Sequence, residues 1–95
     1  MSEIRQGQVY WLDFGPAAGS APAERRPFVV VQNDVFNRST IATTVVCLIT
    51  SNLSSVNVSQ IFTVDKSDLV EYIGKLSAAA SSAVRDGLRV LLERL

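Results

Sequence analysis

Gln8-Val9-Tyr10-Trp11-Leu12-Asp13-Phe14 is the stretch that decides the fold. It follows Gly7 and is rich in aromatic and branched side chains, which is the composition of a β-strand. Working outward, Pro27 to Gln32 reads as a second strand, and Pro27 suits its first position because no amide is needed there. Ala42 to Thr50 opens with Thr43, Thr44 and Val45 and runs into an apolar stretch, so it reads as a third. Val56 to Val64 alternates apolar and polar residues over much of its length, as a half-buried strand does. Tyr72 to Leu76 reads as a last, short strand. From Ser77 the period changes. Val84, Leu88, Leu91, Leu92 and Leu95 fall at helical spacing, with Arg85, Arg89, Glu93 and Arg94 largely off that stripe. Ser77 or Ser81 suits its start, and Gly87 weakens it by ~1 kcal/mol relative to alanine. Strands followed by one amphipathic helix predict a mostly β domain, a small barrel or curled sheet with a helix laid across it.

The connections differ in kind. Residues 15–26 form a long loop rich in Gly, Pro and Ala that ends in two arginines, and loops of that length in a small domain are commonly functional. Asn33 to Thr40 is shorter and polar, and reads as a turn. Residues 41–64 carry no charge at all, and Asn52-Leu53-Ser54-Ser55 is a very short bridge between two strands.

Ninety-five residues make one domain, and 47% hydrophobic against 19% charged residues excludes a solvated, disordered chain. There is no histidine, so no Ser-His-Asp triad, no Cys-His pair and no His-ligated zinc. The single Cys47 forbids an internal disulfide and a cysteine metal knuckle, and it reads as a small buried hydrophobe. The start lacks the apolar core of a secretory peptide, and the apolar runs Phe28 to Val31 and Val45 to Ile49 fall far short of the ~18 residues of a membrane span. The expectation is a soluble, intracellular domain.

Candidate chemistry is sparse. Arg25-Arg26-Pro27 ends the long loop against a strand start: either solvated loop charge, or an anion site in which a planar fork of donors meets a phosphate. Thr50-Ser51-Asn52 gathers three polar side chains where the third strand leaves the core, either lining a site or starting a turn. Asp65-Lys66-Ser67-Asp68 reads as a capped helical N-terminus. Tyr10 and Trp11 have rings that stack on bases, with a core tryptophan the simpler account. Gly15-Pro16-Ala17-Ala18-Gly19 lacks the lysine of a phosphate loop. Nine Lys plus Arg balance nine Asp plus Glu, so attraction to nucleic acid depends on a local cluster such as Arg25, Arg26 and Arg38.

Taken in order, the segments resemble the MazF/PemK toxins, the ribonuclease halves of bacterial toxin–antitoxin pairs. The likeness rests on Gly7 through Asp13, Gly15-Pro16, Gly19-Ser20, Arg25-Arg26-Pro27, Gln32-Asn33-Asp34, Phe36-Asn37, Thr50-Ser51-Asn52, Val56 to Ile61, Val64-Asp65-Lys66 and the C-terminal leucines. It implies one SH3-like small β-barrel over residues 1–95 with a C-terminal helix. It further implies a cytoplasmic homodimer with a cognate antitoxin that cuts single-stranded RNA at short sequences with no metal or cofactor. The cut would use the 2′-hydroxyl of the RNA and leave a 2′,3′-cyclic phosphate. Arg26 matches the family's catalytic arginine and Thr50 its catalytic threonine, while Ser20, Arg25, Ser51 and Gln60 match positions that contact RNA. A guanidinium stays protonated and is no base, so Arg26 is suited to stabilising charge on the phosphate.

The sequence departs from the family pattern twice. Members usually carry a longer connection where this chain has Leu53-Ser54-Ser55, so extra residues are expected between Leu53 and Val56. Many also carry an acid directly after Gly-Ser, where this chain has Ala21, with Glu24 out of register. Two other readings compete: a barrel toxin that binds a protein such as DNA gyrase and cuts nothing, and an inactive interaction module. Arg26 and Thr50 together favour the nuclease.

Overall fold

Strand β1 (Gln8–Phe14) pairs antiparallel with β2 (Glu24–Val30) on one side and with β5 (Glu71–Lys75) on the other. The computed structural model describes residues 3–14, 24–49 and 56–93. Strands β3 (Thr43–Ile49) and β4 (Val56–Asp65) complete one five-stranded antiparallel sheet in the order β4-β3-β2-β1-β5. A short helix, α1 (Asp34–Asn37), lies between β2 and β3, a 3₁₀ turn (Lys66–Asp68) joins β4 to β5, and α2 (Ala78–Glu93) closes the described chain. The described edge strands β4 and β5 do not pair, yet residues of both line one cavity, so the sheet curls into an incompletely closed barrel.

The alternation of strand side chains splits the core in two. Tyr10, Leu12, Phe28, Val30, Val46 and Leu48 fill the concave side, plugged by Leu69 from the end of the 3₁₀ turn. Val9, Val29, Cys47 and Ile49 fill the other side, where Leu76 and Leu88 cover them. Burying such side chains stabilises the fold by ~1.5–3 kcal/mol each. Cys47 is the buried hydrophobe expected, and burial pushes its thiol up to about 11. Gly7 holds φ +92°, and a Cβ there would stand 3.3 Å from Ser81 Oγ, so glycine lets α2 approach the start of β1. Ser77 Oγ accepts from the Ala80 amide at 3.2 Å, capping α2 as expected.

Four expectations need correction. Strand β2 begins at Glu24, three residues before Pro27, because β1 extends far enough to pair with it. Pro27 is tolerated inside the strand because pairing with β3 starts only at Phe28. Asn33 to Thr40 contains α1 rather than a plain turn: Asn33 Oδ1 caps it at Val35 N, 2.8 Å. Lys66-Ser67-Asp68 is helical, but the Asp65 side chain makes no cap hydrogen bond. Trp11 is 39% exposed, outside the core, because its face of β1 turns to a cavity rather than to α2.

A polar network anchors α1. Asn37, 4% exposed, donates to Gln32 O (2.8 Å) and Asp34 Oδ1 (3.1 Å), and its Oδ1 accepts from Thr44 Oγ1 (2.8 Å) and Gln32 Nε2 (3.0 Å). Lys66 Nζ donates to Asn37 O at 2.8 Å and Ser39 O at 3.2 Å, placing a cation at the C-terminal end of α1. Burial works to raise the Asp34 carboxyl, but hydrogen bonds from Gln6 N and Asn37 and the charges of Arg5 and Arg38 outweigh it and hold it below the usual value.

Asn37→Ala is expected to destabilise the domain by ~1–3 kcal/mol, since it strands the buried Thr44 hydroxyl, and urea unfolding measures this. The stabilisation from Asp34 is fully present above the unfolded aspartate value of ~3.9 and is lost as pH falls through its lower folded value. The stability gap between wild type and Asp34→Asn is therefore expected to be constant from pH 7 to 5 and to shrink below pH ~4.

Candidate functional site

The β1–β2 ladder carries both arginines beyond the core, with Leu12 opposite Arg26 and Asp13 opposite Arg25. Both stand in a strand rather than at the end of a loop. Alternation sends them to opposite faces: Arg26 continues the row of Phe28 and Val30, and Arg25 the row of Pro27 and Val29. Arg26 is half-buried and makes interactions of its own, so the strand and its surroundings hold it in place.

Arg25 reaches across β1. Its guanidinium lies 5.7 Å from the centroid of the Trp11 ring and pairs with the Glu71 carboxylate on β5. Glu71 is itself the register partner of Trp11, so three strands converge on one clasp. Both ends of the ion pair are about half-exposed, which limits its worth to ~0–1 kcal/mol. Sequence reasoning gave no hint of Glu71, since its pairing depends on β5 docking against β1 from a distant part of the chain.

Gln60 is exposed on β4, inside an irregularity of the ladder. Cys47 and Leu48 are neighbours on β3, yet they pair with Ile61 and Asn57, so Val58-Ser59-Gln60 bulges out of register. Bulges of this kind re-aim side chains beside functional sites. Ser20, Thr50 and Ser51 lie outside the described residues, as does the connection in which extra residues are expected. Strand β3 is described as far as Ile49, the residue before Thr50, and Ile49 pairs with Val56.

The chain matches the family described as PemK-like, MazF-like toxin of type II toxin–antitoxin system, over residues 5–55 and 51–92. It is 36% identical over 111 residues to Endoribonuclease MazF6 of Mycobacterium tuberculosis, covering 95% of this chain and 97% of that protein. It is 28% identical over 110 residues to Endoribonuclease EndoA of Bacillus subtilis, with 94% of each covered. Among solved structures, the fold matches a mycobacterial endoribonuclease in complex with its cognate antitoxin, with TM-score 0.77, 27% identity, and 98% of this chain and 96% of that one covered. It also matches the MazE–MazF structure from Deinococcus radiodurans, with TM-score 0.78, 23% identity and 98% of each chain covered.

The alignment with the M. tuberculosis protein is longer than this chain, so that relative has residues without counterpart here. The two stretches of the family match meet at 51–55, which puts the difference at the β3–β4 connection. The match spans nearly the whole sequence in order, and the strand order and C-terminal helix agree with it. This chain belongs to the PemK-like, MazF-like toxin family of type II toxin–antitoxin systems.

Proposed function

We propose that this protein is a toxin endoribonuclease, a single domain over residues 1–95 that cuts single-stranded RNA without a metal. The observation that carries the reading is Arg26: in a chain of this family, the family's arginine stands on a paired strand, beside Leu12 and in the row of Phe28. Relatives over nearly the full length are endoribonucleases.

In this reading, the 2′-oxygen attacks the adjacent phosphorus. The O2′–P bond forms, the P–O5′ bond breaks, and the products are a 2′,3′-cyclic phosphate and a 5′-hydroxyl. The 2′-hydroxyl proton leaves and the departing O5′ gains one. Arg26 stabilises the charge that builds on the non-bridging oxygens and is suited to delivering the proton to O5′. Thr50 donates a hydrogen bond to the same phosphate. Its support is a count along the ladder: Phe28 pairs with Leu48, and two residues further on each strand bring Arg26 level with position 50. Ser20, Arg25, Ser51 and Gln60 contact the RNA around this centre. Histidine is absent from the whole sequence, and this route needs none.

The same reading makes the protein a cytoplasmic homodimer held by a cognate antitoxin. No helix among the described residues is long and apolar enough to cross a membrane. Val70, Tyr72 and Ile73 sit exposed at the β5 edge, apolar surface of the kind that a subunit interface covers.

Arg26→Ala is expected to lose roughly 10²–10³-fold in RNA cleavage measured in EDTA, with circular dichroism and unfolding midpoint close to wild type. Thr50→Ala is expected to lose less. A folded Arg26→Ala protein cutting at the wild-type rate would overturn the site. Light scattering at micromolar concentration is expected to report twice the monomer mass, and a monomer throughout that range would contradict the homodimer.

A further inference from the structure

A cavity of about 860 Å³ opens beside the Arg25–Glu71 clasp, within the ~300–1,000 Å³ of sites that hold small organic groups. Trp11, Phe28, Phe62, Val64 and Val70 give it apolar and aromatic walls. Trp11, Phe62 and Val70 keep 39%, 36% and 77% of their surface exposed, a concentration of wet apolar area for so small a domain. Its charged lining is Asp13, Asp68 and Glu71 against Arg25 alone. Among the described residues no three carboxylates are grouped to hold a metal ion.

That charge balance decides what fits. Phosphates are held by cations that displace counterions, and here the single guanidinium already faces Glu71 while two further carboxylates stand by. The backbone of an RNA strand is repelled. A base is uncharged, stacks on aromatic rings and guanidinium planes with its faces, and carries its polarity on its edge. Carboxylates are acceptors only, so they favour edges with amino donors, as a carboxylate does with cytosine N4. Adenine presents an amino group too. Uracil presents two carbonyls and one imino N–H, which sets oxygen against oxygen.

We infer that this cavity is a subsite for one unpaired nucleobase, stacked against Trp11 under Arg25 and read by Asp13 and Asp68, with a preference for amino-bearing bases over uracil. The inference rests on the ribonuclease reading and deepens it: the row of Arg26 runs through Leu12 and Phe28, which line the cavity, so the subsite lies next to the proposed cleavage centre. Glu71 is a positioning residue that holds Arg25 across β1.

Trp11 is the only tryptophan, so intrinsic fluorescence reports on the cavity directly. The test titrates the full chain with short 2′-O-methyl oligonucleotides of equal length, which lack the attacking hydroxyl and share one backbone charge. Oligocytidylate and oligoadenylate are expected to change the emission and to bind at least about fivefold tighter than oligouridylate. In the Asp13→Asn/Asp68→Asn variant, checked for folding by its melt, that ratio is expected to narrow to within about twofold while every affinity rises. A merely structural role for the two carboxylates would leave the ratio alone. Equal binding of all three oligonucleotides by wild type overturns the inference, as does ribose 5-phosphate altering the emission as strongly as they do. Unchanged emission in a protein that cuts RNA in EDTA overturns the subsite and leaves the ribonuclease reading standing. A response to a basic peptide and to no oligonucleotide assigns the cavity to a protein partner and overturns the inference. Absence of both cleavage and binding overturns the ribonuclease reading, and the subsite with it.

Discussion

The antiparallel pairing of β1 with β2 runs from Val9 opposite Val29 to Phe14 opposite Glu24, and it couples the core to the chemistry. At one end its residues are buried: Tyr10, Phe28, Val29 and Val30 are at most 3% exposed. At the other it leaves the core and carries Arg25 and Arg26 as a continuation of the same ladder. A register slip of one residue would turn Phe28 out of the concave core and send Arg26 to the face of α2. The hydrophobic pattern therefore fixes where the arginines point. That is how a chain with few functional side chains sets one of them reproducibly.

Electrostatics complete the arrangement. With nine charges of each sign the protein has no long-range pull on a polyanion, so contact with RNA has to come from local placement. Arg25 and Arg26 are adjacent in sequence yet face different surroundings. Arg26 leads a row of core residues, while Arg25 is drawn onto Trp11 and Glu71. The Arg25 pair is exposed and weak, so it shapes the cavity at little cost to stability. The polar network around Asn37 and Asp34 does the opposite work at the end of β2, where buried, fully partnered groups fix α1 to the sheet.

Much of the strand framework was legible in the sequence because period-two alternation and β-branched runs act locally. The strand at Val56 to Asp65 and the helix from Ala78 were readable on those grounds. Helix α1 was not, because Asn33 and Asp34 serve turns and N-caps equally well and its tie to the sheet comes from distant Gln6 and Thr44. The early start of β2 depends on the length of β1, which propensity at Glu24 to Arg26 does not reveal. The exposure of Trp11 and the partnership with Glu71 depend on where β5 docks and how the sheet curls, both long-range outcomes. The arginines themselves were visible as a motif, but only the fold separates their roles.

The central claim is that residues held by this sheet cut RNA through its own 2′-hydroxyl. Mass spectrometry of RNA fragments after incubation with the wild-type protein in EDTA tests this most directly, beside a strand carrying 2′-deoxy residues. The account predicts fragments ending in a 2′,3′-cyclic phosphate, partners beginning with a 5′-hydroxyl, and no cut wherever the 2′-hydroxyl is missing. Fragments with a 3′-hydroxyl and a 5′-phosphate, or cleavage of the deoxy-substituted positions, would contradict it.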